Sequence, residues 1–252
     1  MRDRKLEMFT YKKLSLPAKA SFWYTVSNIL QKGISVIVIP IYTRLMSPEQ
    51  YGIVSIFFSW YSIICIFTTL IMWNYVFNNG MIKYAKDRDG FITALLGLSS
   101  SITIAWFIIY LIFNVFWSRI FDISFGLMII MFIELLFMPS FEYWNARNRY
   151  DYHYKPIVIS SLIISIATAL VSIPLIMSNE NKAQAAIIAR ILVSVLVYLI
   201  PFVLIIKKSR LFFKKEYWKF ALGFNLPLIL HFVSTIVLGQ SDRIMIGRIV
   251  SE

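Results

Sequence analysis

Charge is scarce in these 252 residues: Asp, Glu, Lys and Arg make up 15% of the chain, against about a quarter in an average soluble domain. Apolar residues fill the difference, at 59%, and aromatic ones alone reach 17%. No single water-soluble core hides so much apolar surface, which excludes an ordinary soluble globule and implies an integral membrane protein. Cysteine is nearly missing. A single one, Cys65, lies inside the apolar run IVSIFFSWYSIICIFTTLIM, so an internal disulfide is excluded and a buried structural thiol is expected. Two histidines beside one cysteine give no metal-ligand cluster. No nucleophile–base constellation and no phosphate-cradling glycine loop is present either. No catalytic residue, metal or cofactor is therefore expected, and any transport would not hydrolyse ATP.

What is present is a succession of long apolar stretches. Seven of them, at 21–42, 52–77, 91–116, 125–145, 156–177, 186–206 and 222–247, are long enough for the roughly 20 residues that a membrane helix needs. The connectors between them are short and leave no room for a soluble domain. Residues 1–20 form a basic lead, and the apolar run behind it is too long for a cleaved signal's core. The first span reads instead as a signal anchor.

Net charge is +12, and the way it is distributed argues against nucleic acid as a partner. The N-terminal lead and the second, fourth and sixth connectors together hold eighteen Lys and Arg. The other three connectors hold only Arg44, Arg119 and Lys182. The alternation keeps its sense at every turn, so the N-terminus is expected in the cytoplasm. Tyrosine and tryptophan gather at predicted interfaces, as in YWNARNRYDYHY (143–154), where an aromatic belt accounts for them, and His153 falls in the same layer.

The residues that the bilayer penalises carry the functional signal. A charged side chain at mid-membrane costs roughly 2.5–3.5 kcal/mol on insertion scales and usually faces protein or a wet cavity. In the first span Asn28, Gln31, Lys32 and Ser35 recur at i, i+3, i+4 and i+7 and share one helical face. Hydrogen bonding that merely holds helices together would account for the amides and the serine. The lysine favours a hydrated cavity. In the seventh span His231, Ser234, Thr235 and Asp242 form a second such face, next to Arg243. Glu134, near the middle of the fourth span, is a candidate for pairing with Lys32 or Arg190, or for carrying a coupling ion together with Asp242. Arg190 is a candidate either for lining the cavity or for snorkelling outward.

The ends of the first and seventh spans are alike: RLMSPE at Arg44–Glu49 and RIVSE at Arg248–Glu252 match if one proline is skipped. Spans six apart run in the same direction, as a parallel duplication requires. The opening SFWYTVSNILQKGISVIVIPIYTRLMSPEQYGIVSIF, the stretch EYWNARNRYDYHYKPIVISSL and the final FNLPLILHFVSTIVLGQSDRIMIGRIVSE resemble the Wzx-like flippases of polysaccharide repeat units. These belong to the multidrug/oligosaccharidyl-lipid/polysaccharide exporter superfamily.

The resemblance implies an all-α membrane protein of two six-helix lobes around a central cavity. On that pattern, 1–20 is a cytoplasmic basic segment, 21–206 a six-helix lobe, 207–221 a basic cytoplasmic connector and 222–252 the first helix of a second lobe. The chain is accordingly expected to be a truncated form. The implied substrate is an undecaprenyl-diphosphate-linked oligosaccharide, moved to the outer leaflet of a bacterial inner membrane. Lys32, Asn28, Gln31, Ser35, Arg190, His231 and Arg243 would line its cavity. Membrane lipids, a polysaccharide polymerase and other proteins of that pathway are the implied partners. Two rival readings differ in what they require. A membrane-embedded polymerase or ligase would show a large outer loop, and a drug or cation exporter of the same superfamily would favour an acidic cavity.

Overall fold

A computed structural model describes residues 15–251, with side chains left aside at 242–244 and 246–251. The first fourteen residues of the basic lead therefore lie outside the described residues, as do the side chains of Asp242 and Arg243. Nine helices make up the described chain. They are α1 (Leu16–Leu45), α2 (Pro48–Thr69), α3 (Tyr75–Lys83), α4 (Arg88–Ile112), α5 (Asn114–Phe121), α6 (Phe125–Tyr150), α7 (Tyr154–Ser178), α8 (Lys182–Lys208) and α9 (Lys215–Ser251). All but α3 and α5 are long and apolar enough to cross a bilayer, the all-α, seven-span architecture expected from hydropathy.

Helix ends follow local chemistry. Ser15 accepts from the Ala18 N–H at the start of α1. Ser47 and Gln50 form a reciprocal capping box at α2, with Pro48 in the first turn. Asp87 caps α4 through Gly90, and Asn181 caps α8 through Gln184. The C-terminus of α1 is closed from a distance: Lys182 donates to the Leu45 carbonyl at 2.7 Å. Five helices carry an interior proline, at Pro40, Pro139, Pro174, Pro201 and Pro227. Ser140, beside Pro139, lies 2.6 Å from the Phe137 carbonyl and 3.0 Å from that of Tyr198 on α8.

Packing runs α1 on α7, α7 on α8, α8 on α6 and α6 on α4, while α2 packs chiefly on α9. Small residues let α8 approach its neighbours closely: Ala183, Ala185, Ala186 and Ala189 are all buried. The main core joins α2, α3, α4, α6, α8 and α9. By contrast α1 meets α2 sparsely, around Tyr42, Leu45, Met46 and Val54.

Three boundaries differ from the hydropathy reading. The span expected at 52–77 breaks between α2 and α3. The span expected at 91–116 ends at Ile112, and a separate short helix, α5, follows it. The connector expected at 207–221 shrinks to 209–214, because Lys215–Ala221 already belong to α9.

Candidate functional site

Glu134 is carried by α6 into the interior, where it is 2% exposed. Tyr61 of α2 and Ser194 of α8 are the hydroxyls that face its carboxyl, and Arg190 of α8 is its cationic neighbour. Of the two partners expected for Glu134, the structure thus selects Arg190 and not Lys32. The two charges interact without closing a salt bridge; the ion pairs among the described residues are Arg147–Asp89, Arg147–Asp151 and Lys214–Asp87. Instead the Arg190 guanidinium lies over the Phe58 ring, 3.7 Å from its centroid, a cation–π contact. Arg190 is itself exposed and interacts electrostatically with Tyr42 of α1 as well as Tyr61 of α2. It therefore links Tyr42 of α1 and Tyr61 of α2 to a buried carboxyl whose Oε2 has no hydrogen-bond partner among the described residues.

The two polar faces read from the sequence lie elsewhere. Asn28, Lys32 and Ser35 are exposed on α1, whereas Gln31 turns inward and donates to the Ser27 hydroxyl at 3.1 Å. Lys32 makes no hydrogen bond or ion pair among the described residues. On α9, His231, Ser234 and Thr235 are also exposed. Ser234 and Thr235 bond back to the carbonyls of Leu230 and His231. Asn28, Lys32, Ser35, His231, Ser234 and Thr235 are thus not enclosed by the described helices. The expected thiol burial is observed, with Cys65 packed 3.6 Å from the Thr69 hydroxyl.

Sequence reasoning missed the break in the second span. Leu70 and Ile71 hold left-handed backbone, φ 53° and 48°, a conformation that a β-branched residue adopts only under compulsion. The surroundings supply that compulsion. Asn225 of α9 donates its side-chain amide to the Leu70 carbonyl, and the Ile71 N–H donates to the Thr69 hydroxyl at 3.3 Å. Thr103 of α4 donates to the Thr68 carbonyl at 3.2 Å. Leu70, Ile71, Met72 and Trp73 are all buried. Irregular backbone at membrane depth persists where protein or a cavity receives it, and here protein does. A space of about 510 Å³ opens beside the break, lined by Trp73, Asn74, Asn78, Glu142, Arg149 and Tyr150. The available sequence signal was the polar set Thr68, Thr69, Asn74 and Asn78 inside an apolar run.

Seven membrane-length helices, a carboxyl buried among them and a broken helix beside a polar cavity define a multi-pass α-helical membrane protein. A family model described as polysaccharide biosynthesis protein matches residues 18–252, and the chain belongs to that family. Neither the curated proteins nor the solved structures compared gave a significant match.

Proposed function

We propose that this chain moves lipid-linked oligosaccharide units, carried on a polyprenyl diphosphate such as undecaprenyl diphosphate, across a bacterial inner membrane for surface polysaccharide synthesis. The observation that carries the reading is a cation without an acid partner. Lys32 sits in the middle of a spanning helix, exposed and unneutralised, where a charge is tolerated only if it meets an opposite charge or water. Arg190, exposed on α8 over the Phe58 ring of α2, adds a second cation. A diphosphate crossing the bilayer needs just such donors in place of its water.

On this reading the exposed faces of α1 (Asn28, Lys32, Ser35) and α9 (His231, with Arg243 beyond) border the path. The lipid tail stays in the bilayer, and Glu134, with Asp242, couples an ion to the movement. The protein makes and breaks no covalent bond, so it is a transporter and not an enzyme. The eighteen basic residues of the N-terminal side mark the cytoplasmic face from which substrate enters. A polysaccharide polymerase and other proteins of the same synthesis would receive the product. The test is Lys32→Ala in cells whose surface polysaccharide depends on this chain. Polysaccharide should be lost while the protein still inserts in the membrane. Wild-type polysaccharide from that variant would remove Lys32 from the substrate path and overturn the reading.

A further inference from the structure

The cavity beside the α2–α3 break differs in chemistry from the cationic path, and nothing in the path makes use of it. Its charges balance. Arg149 is the cationic neighbour of Glu142, one residue of each sign seven apart on α6, so the space as a whole offers no net charge to an anion. What it offers instead are the Trp73 and Tyr150 side chains, the amides of Asn74 and Asn78, and one carboxylate and one guanidinium. Both amides are exposed, as is Arg149, and the structure gives Asn74 no capping bond to make at the start of α3. Tyr150 is held in place: Arg88 lies over its ring, 5.1 Å from the centroid, and donates to its hydroxyl at 3.3 Å. Trp73 is fixed by burial and by edge contact with Tyr143.

A partly exposed tyrosine ring among amide, carboxylate and guanidinium groups suits a sugar ring with a rim of hydroxyls. The volume falls in the ~300–1,000 Å³ range of small-molecule sites. The position fits as well. The cavity lies between α3, which leads into Lys83, Lys86 and Arg88, and the last turns of α6, which carry Arg147 and Arg149. That is the basic end of the bundle, where a head group arriving from the donor side would first meet protein.

The geometry points to a glycan subsite at the α2–α3 break: Trp73, Asn74, Asn78, Glu142, Arg149 and Tyr150 take a neutral hexopyranose unit of the substrate, while the diphosphate engages Lys32. This deepens the flippase reading and rests on it. The division of labour makes a sharp demand. Sugar and diphosphate are recognised by different residues, so each can be lost without the other.

The experiment uses the purified full chain in detergent and isothermal titration. The probes are citronellyl diphosphates bearing glucose, galactose or N-acetylglucosamine, and citronellyl diphosphate with no sugar. At least one sugar-bearing probe should bind the wild type about tenfold tighter than the bare diphosphate. Asn78→Ala, at an exposed position that spares the core, should erase that advantage while leaving the bare probe unaffected, and Trp73→Leu should do the same. Lys32→Ala should weaken every probe. If the sugar-bearing probes bind both pocket variants as they bind the wild type, or bind the wild type no better than the bare diphosphate, the subsite is overturned and the flippase reading stands. If no probe binds the wild type, the flippase reading falls, and the subsite with it.

Discussion

Gly97 of α4 lies against the backbone of Phe212: a Cβ on Gly97 would stand 2.1 Å from the Phe212 carbonyl oxygen. Backbone cannot retreat as a flexible side chain can. The same carbonyl receives the Trp218 indole N–H at 3.2 Å, and that indole also reaches the Ala94 carbonyl at 2.9 Å. One missing methyl group thus fixes where the connector before α9 lies. Gly97→Ala should push this connector away and cost about 1–3 kcal/mol, as overpacking does. For a chain of this length that is a fall in Tm of roughly 2–4 °C per kcal/mol, read by thermal unfolding in detergent. An unchanged Tm would show that the connector yields freely.

Asn225 is fully buried and its amide is the bond that holds the Leu70 carbonyl at the helix break. Asn225→Leu keeps the bulk and removes the donor, leaving a buried carbonyl unsatisfied at a cost of about 1–3 kcal/mol. Denaturant unfolding should register the loss, and cysteine labelling at position 74 should become faster as the break loosens.

Glu134→Gln preserves shape and keeps an acceptor for Tyr61 and Ser194. Stability should change by less than about 1 kcal/mol, within the ordinary range for a point substitution. If the carboxyl carries the coupling ion, transport of a lipid-linked sugar into proteoliposomes should nonetheless fall at least tenfold. Undiminished transport would reduce Glu134 to an interior packing group.

The basic end of the bundle carries a pH-dependent clasp. Lys214 donates to the Tyr217 hydroxyl at 2.8 Å, and Tyr217 donates to Asp87 at 2.7 Å. The hydrogen bond to Tyr217, with the nearby Asp87 and Glu216, raises the Lys214 pKa above the usual lysine value. A lysine whose folded pKa exceeds its unfolded one, about 10.4, contributes fully below the unfolded value and ceases to contribute as pH rises past the folded one. Stability should therefore decline above about pH 10.5 more steeply in the wild type than in Lys214→Met, a difference that Tm against pH will show.

The spans were legible because hydropathy sums over some twenty residues, and no tertiary detail reverses such a sum. Gln31 and Lys32 show where legibility stops. Helical period places both on one side of α1, yet it cannot say that Gln31 bonds Ser27 while Lys32 stays exposed. Choosing Arg190 over Lys32 as the neighbour of Glu134 needed the rotation of α8 about its own axis, which depends on where its alanines pack. The break at Leu70 and Ile71 was hidden for a stronger reason. Neither residue prefers left-handed backbone, and the groups that impose it, Thr103 and Asn225, come from 33 and 155 residues away in sequence from Leu70.

Lys182 is one of only three basic residues in the sparsely charged connectors, and its ammonium is taken up by the Leu45 carbonyl at the negative end of the α1 dipole. Locally, a helix terminus already offsets that charge. In the folded chain the electrical contrast between the two ends of the bundle is thus steeper than a tally of Lys and Arg suggests.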